Sequence, residues 1–185
     1  MRKVVAVELL SLDGVMESPN EWAFSYSNEE SERENTAGMA ASDALVLGRK
    51  TYEEFAAFWP HQPGGTPMID YINSVSKYVV STTLEEPLGW NNSYLIPGDE
   101  FAEKIAELKE GSGKDMTVVG SCDLVRSLAG AGLLDELRLT IHPLVLGSGR
   151  RLFDGWEDTT SLTLVDSKSF DTGVVSLVYR PGASG

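Results

Sequence analysis

Three short stretches carry the residue types that hold anions: Gly48-Arg49-Lys50-Thr51, Ser81-Thr82-Thr83 and Gly120-Ser121. Each joins small residues, beside which a backbone can approach a ligand closely, to donors suited to a phosphate. In the first, the apolar run Ala44 to Leu47 stops at Gly48, and two cations and a threonine open a helical pattern. Cations are disfavoured there, because the helix dipole puts partial positive charge at the start. An anionic ligand would reverse that penalty; the alternative is that Arg49 and Lys50 only look out at water. Strand-Gly-helix turns are common, and one alone says little. Three of the same character point to a phosphate-bearing ligand lying across the ends of several strands.

The remaining reactive side chains are few. Cys122 follows Gly120-Ser121 at a helix start, where the dipole lowers a thiol pKa. A lone cysteine is nevertheless more often a small buried hydrophobe. A single cysteine excludes an internal disulfide and a multi-cysteine metal site, and His61 and His142 lie far apart without metal-ligand spacing. The net charge of −13 over 185 residues argues against nucleic acid and anionic membranes as partners. In so acidic a chain, any bound anion depends on local cations.

Those positions need elements that deliver them. Val4 to Leu10 is nearly all apolar, as a central strand covered on both faces should be. Asp13-Gly14 then turns the chain, with an Asx turn as the plain role of Asp13. Ser27 or Asn28 caps a charged surface helix over 28–41. Ala44 to Leu47 is a second buried strand, and Arg49 to Phe58 a helix with Tyr52, Phe55, Ala56 and Trp59 along one face. Further strands fall at 77–81, 94–96 and 116–119, and helices at 68–74, 100–110 and 123–131.

From Glu136 a long strand runs through Leu146, with Pro143 inside it as the mark of an edge or bulge. A hairpin follows around Asp171-Thr172-Gly173, and 181–185 reads as a frayed tail. The expectation is one α/β domain over 1–180. It is a three-layer sandwich around a mixed, mostly parallel sheet with an antiparallel C-terminal hairpin. Glu8 breaks the N-terminal apolar run, no small-residue cleavage site follows, and no run approaches about 20 apolar residues. A cytoplasmic protein is expected.

In order, "SLDGVM", "LVLGRKTYE", "KYVVSTT", "MTVVGS" and "LRLTIHPLVLGSGRRLF" resemble the dihydrofolate reductase-like superfamily. The branch most resembled includes the C-terminal reductase domain of the bifunctional riboflavin-biosynthesis protein. The resemblance runs from about Val4 to Tyr179 and implies an NADPH-binding fold. It implies that Gly48, Arg49, Lys50 and Thr51 hold the 2′-phosphate and pyrophosphate, and that Ser81 and Thr82 flank the adenosine. Gly120 and Ser121 would meet the pyrophosphate and nicotinamide side, with Leu124 nearby. Asp13 would stand where substrate meets nicotinamide, as the one acid nominated to supply a proton. Gly147, Gly149 and Arg150 would line the substrate pocket, with Arg150 or Arg151 on a substrate phosphate. Trp22, Phe58 and Trp59 are candidates to wall a flat heterocycle.

The chain also departs from its relatives. The G-x-G-x-x-G fingerprint of ordinary dinucleotide folds is absent. The acid that follows Trp in the first loop of true dihydrofolate reductases has no clean counterpart, since Trp22 is followed by Glu29, Glu30 and Glu32. The zinc-binding deaminase half of the bifunctional protein is missing. The nearest named reaction is thus reduction of the ribosylaminouracil intermediate, and the other reading is a non-catalytic nucleotide- or protein-binding relative. An apolar edge formed late in the chain, together with the dimers common among related domains, leads us to expect a homodimer.

Overall fold

The computed structural model describes residues 1–157 and 159–182. In β2 (Ser42–Gly48), successive side chains feed two different cores. Ala44 and Val46 join Ile105, Val125 and Leu128 on one face, whereas Leu45 and Leu47 join Tyr52, Ile72 and Val79 on the other. A strand buried on both faces has no polar side to show, so it reads as a continuous apolar run.

Around it lie β1 (Val4–Ser11), β3 (Ser76–Ser81), β4 (Ser93–Pro97), β5 (Asp115–Val118), β6 (Glu136–His142), β7 (Leu162–Ser169) and β8 (Val175–Pro181). Their order is β4-β3-β2-β5-β1-β6-β8-β7. Pairing is parallel from β4 through β6, and β8 and β7 complete the sheet antiparallel.

The helices are α1 (Glu29–Ala40), α2 (Arg49–Phe58), α3 (Pro67–Ser74), α4 (Phe101–Glu110) and α5 (Cys122–Gly130). From α4 and α5, Ile105, Val125 and Leu128 enter the first core, while Tyr52 of α2 and Ile72 of α3 enter the second. This is the expected three-layer sandwich. Asn28 begins α1: its side chain accepts from Ser31 N–H at 2.9 Å, and Ser31 Oγ accepts from Asn28 N–H at 3.0 Å. Among the described residues no helix is long and apolar enough to cross a membrane.

The end of the sheet differs from the sequence reading. The strand expected to reach Leu146 stops at His142, because Pro143 has no N–H for a ladder and Leu144 N–H turns back to His142 O at 2.8 Å. Moreover, β6 is interior, between β1 and β8. The edge at this end of the sheet is β7, where the register shifts between Leu164 and Asp166. Of the expected tail, Pro181 belongs to β8 and Gly182 N–H bonds Ser161 O at 2.8 Å; residues 183–185 lie outside the described residues.

One core residue is a cation. Lys77 at the start of β3 is fully buried, its ammonium 4.2 Å from the centre of the Trp90 ring. It donates to Asn73 O, Val75 O and Asn91 O at 3.2, 3.0 and 3.3 Å. Two of those carbonyls close α3, so the charge sits at the negative end of a helix dipole. Replacing Lys77 with Met keeps the apolar stem but strips the donor from these carbonyls. The loss of stability should be about 1–3 kcal/mol, read as a lower urea midpoint at unchanged slope; an unchanged midpoint would mean the carbonyls find water instead.

Candidate functional site

The ladder between β1 and β5 is short: Val4, Val5 and Ala6 pair with Met116, Thr117 and Val118, and there it ends. β1 continues beside β6 as far as Ser11 opposite His142. Past Ala6 the sheet is therefore split at the carboxyl ends of its strands, where open α/β sheets bind ligands. Gly120 turns β5 away at φ +55°, in the left-handed region that favours glycine.

Glu8 reaches across the split. Gly120 N–H donates to its Oε1 at 2.9 Å, and the residue is 4% exposed. Burial pushes its pKa up to about 8, against the opposing pull of the Gly120 N–H. The sequence reading used Glu8 only as a break in an apolar run. A lone carboxyl inside a strand otherwise covered on both faces was the available signal.

The ends of β2 and β5 close on one another at the same place. A Cβ added to Gly48 would come within 3.1 Å of Ser121 Oγ, and one added to Gly120 within 3.0 Å of Thr51 Oγ1. Met16 Cε lies 3.9 Å from that second position. Gly48 and Ser121 are the N-caps of α2 and α5, and neither helix start has a side-chain cap. Two helix starts without side-chain caps thus lie beside one another, the kind of place where first-turn N–H groups can hold an anion.

Of the flanking residues, Arg49 and Lys50 are exposed at the start of α2. The Arg49 guanidinium meets Glu53 at 3.1 Å, a half-exposed pair worth little in water. Leu124 is buried in the core, so what α5 offers there is its backbone. Ser81 Oγ accepts from Thr83 and Leu84 N–H at 3.1 and 3.0 Å and so caps its own turn, while Thr82 is exposed.

Asp13 is held as an acceptor. It accepts from Ser11 Oγ at 2.7 Å, Leu146 N–H at 3.1 Å and Gly147 N–H at 2.9 Å. The Arg151 side chain adds a bond to its carbonyl at 2.9 Å and an ion pair at 3.5 Å. The Ser11 hydroxyl first, then the two backbone N–H groups, hold its carboxyl well below the usual carboxylate range. An acid so held stays ionised at neutral pH, a poor state from which to give up a proton.

Asp13 instead ties the first loop to 144–151. Those loops are also joined by Met16 N–H to Arg150 O at 2.9 Å and Leu152 N–H to Gly14 O at 3.1 Å. Gly149 packs so closely that a Cβ would meet Val15 Cγ1 at 2.7 Å, and Gly147 O accepts from Arg151 at 3.4 Å. Arg150 reaches the first turn of α5, pairing with Asp123 at 2.6 Å.

Trp22 stands edge-on to His142 with ring centres 5.2 Å apart, and Tyr26 does the same at 5.8 Å. His142 Nδ1 lies 3.1 Å from both Leu10 O and Thr140 O, so that nitrogen carries the proton, and burial pushes the ring's pKa down. Phe58 and Trp59 are not brought to this end. α2 begins at the split and carries them about 14 Å along its axis, where they pack on one another. Cys122 is 2% exposed and burial pushes its thiol pKa up, so the helix start does not activate it.

Comparison with known proteins follows the same lines. The family model for the RibD C-terminal domain matches residues 2–176. The uncharacterized protein YyaP of Bacillus subtilis (strain 168) is 29% identical over 185 residues, covering 97% of this chain and 95% of its own. A putative riboflavin biosynthesis protein from Shewanella sp. PV-4 superposes with a TM-score of 0.74 at 24% identity, over 98% of this chain and 99% of that one. The diaminohydroxyphosphoribosylaminopyrimidine deaminase/5-amino-6-(5-phosphoribosylamino)uracil reductase of Thermotoga maritima gives 0.70 at 12% identity, over 98% of this chain and 57% of that one.

The Asp13 clip has a pH signature. A carboxyl whose native pKa is depressed adds stability that is present above its unfolded value and lost as pH falls toward the native one. Asp13→Asn should therefore lower the unfolding midpoint at neutral pH, and the gap to wild type should close below about pH 4. A gap that stays constant into acid would mean the contact acts by shape, not by charge.

Proposed function

Because the chain belongs to the RibD C-terminal domain family, we propose that it is a cytoplasmic, NADPH-dependent reductase of a small heterocycle. The nearest reaction is reduction of 5-amino-6-(5-phosphoribosylamino)uracil, taken alone. The observation that carries this reading is the convergence at the split, where two uncapped helix starts and the close-approach glycines Gly48 and Gly120 meet. A dinucleotide has the several phosphates such a place can hold.

In this reading Arg49, Lys50 and Thr51 take the 2′-phosphate, and Gly120, Ser121 and the Leu124 N–H take the pyrophosphate. Ser81 and Thr82 flank the adenosine. NADPH, when bound, supplies the hydride. The chain's part is to hold the reacting faces together and keep bulk water back. The loop from Asp13 to Trp22, clipped to Gly147, Gly149 and Arg150, receives the substrate, with Trp22 against its ring. Arg150 grips a substrate phosphate by leaving Asp123. The accompanying proton comes from water, since Asp13 is held ionised.

We also propose a homodimer. The far end of the sheet has exposed Leu164 and Phe153 beside a groove of about 380 Å³ lined by Leu134, Leu137, Trp156 and Leu162. A second copy would cover that surface. Light scattering should give about twice the 20.1 kDa of one chain; a mass near that of one chain would refute the assembly.

Arg49 tests the cofactor assignment. NADPH exceeds NADH by one phosphate, which pairs best with a guanidinium fork. Arg49→Ala should weaken NADPH about tenfold, the low end for a hydrogen bond to a charged group at a half-exposed site. NADH should be nearly unaffected, and added salt should shrink the NADPH effect. Titration of dihydronicotinamide fluorescence measures both. Equal losses for the two cofactors would move Arg49 to the pyrophosphate.

A further inference from the structure

We propose that Glu8 is a positioning residue for the bound dinucleotide: its side chain spans the split and holds the Gly120-Ser121 turn for phosphate. The inference rests on the dinucleotide reading above and deepens it. Its basis is geometric. β1 and β5 stop pairing after Ala6 and Val118, so the next backbone donor of that turn, Gly120 N–H, has no strand to meet. Glu8 Oε1 takes it at 2.9 Å. The same glycine sits against Thr51 of α2, and Gly48 N–H lies 3.5 Å from Gly120 O. One side chain of β1 thereby sets the turn that brings both helix starts together. Without it, a buried N–H would be left unsatisfied beside the phosphate site.

The charge state matters because the ligand is an anion. On the face Glu8 shares with Ala6 and Leu10, β6 places Leu139 opposite it, and β5 ends in apolar Val118 before Gly120. From α5 the buried titratable group is Cys122, whose charged neighbours are Arg150, Asp123 and Arg126. Those charges do not act on Glu8; burial and the Gly120 N–H do. Among the described residues no cation pairs with Glu8, so the negative charge of an ionised Glu8 would face the incoming phosphates. Phosphate binding and loss of the Glu8 proton oppose each other, with the opposition beginning near the carboxyl's native pKa of about 8.

The experiment is NADPH titration by fluorescence from pH 6.5 to 9.5 on wild type, Glu8→Gln and Glu8→Leu, with thermal unfolding on the same samples. The wild-type dissociation constant should be flat to about pH 8 and then rise, by up to tenfold per pH unit for one linked proton. Glu8→Gln, whose amide oxygen can accept the same N–H but cannot ionise, should bind as wild type does at neutral pH and stay flat above it. Glu8→Leu should bind at least tenfold more weakly at every pH while still unfolding cooperatively. Stability supplies a readout free of cofactor. A carboxyl with a raised native pKa costs the fold progressively as pH climbs from its unfolded value to its native one, so Glu8→Gln should gain on wild type between about pH 4.5 and 8. Parallel alkaline profiles for wild type and Glu8→Gln would overturn the role of Glu8 while sparing the reductase reading. Failure of wild type to bind NADPH at any pH would overturn both.

Discussion

The ladder between β1 and β5 ends after three residues, and the usable end of this molecule depends on that stop. A parallel ladder running on would have consumed the backbone donors of the Gly120 turn and filled the space between strands. Stopping it opens a seam at the centre of the sheet but strands an N–H in a buried place. An unsatisfied donor there costs about 1–3 kcal/mol, and an isolated ionised carboxylate would cost far more. A protonated Glu8 avoids both costs, which is why an acid is tolerated in a strand covered on both faces.

A second carboxyl works in the opposite state. Asp13 receives donors from Ser11, Leu146 and Gly147 and is held ionised, so it can anchor a loop that has no ladder of its own. The anchoring is needed because Pro143 has just ended β6. Two acids a few residues apart in one strand and its turn thus settle on opposite protonation states. One is set by burial against a single N–H, the other by several donors at a more open place.

Much of this was legible in the chain itself, and the limits have physical causes. α2 begins and ends where its pattern placed it, Arg49 to Phe58, because a glycine stop and an apolar stripe are both local signals. Gly48, Thr51, Gly120 and Ser121 were picked as anion-holding junctions, and the fold does bring them together. What local pattern does not carry is which strand lies beside which. Hence Pro143 marks β6 as an edge or a bulge in the sequence, whereas β8 and β1 flank it. Hence too Lys77 passed as an ordinary strand residue, since the carbonyls that surround it belong to other elements. Glu8 was seen and misjudged for the same reason: its partner is 112 residues away. Phe58 and Trp59 lie away from the split because the length of α2 carries them there.

The position of β1 has a consequence for how the protein is made. Of the described strands it leaves the ribosome first, yet Val4 pairs with Met116 and Ala6 with Leu137. A strand apolar on both faces must therefore wait for most of the chain before its neighbours exist. Such a wait leaves sticky surface uncovered during synthesis and makes closure of the sheet centre a late event. The seam between β1 and β5 is the joint closed in that step. Until β5 has been made the seam has only one wall, so nothing at this end of the sheet can form piecemeal.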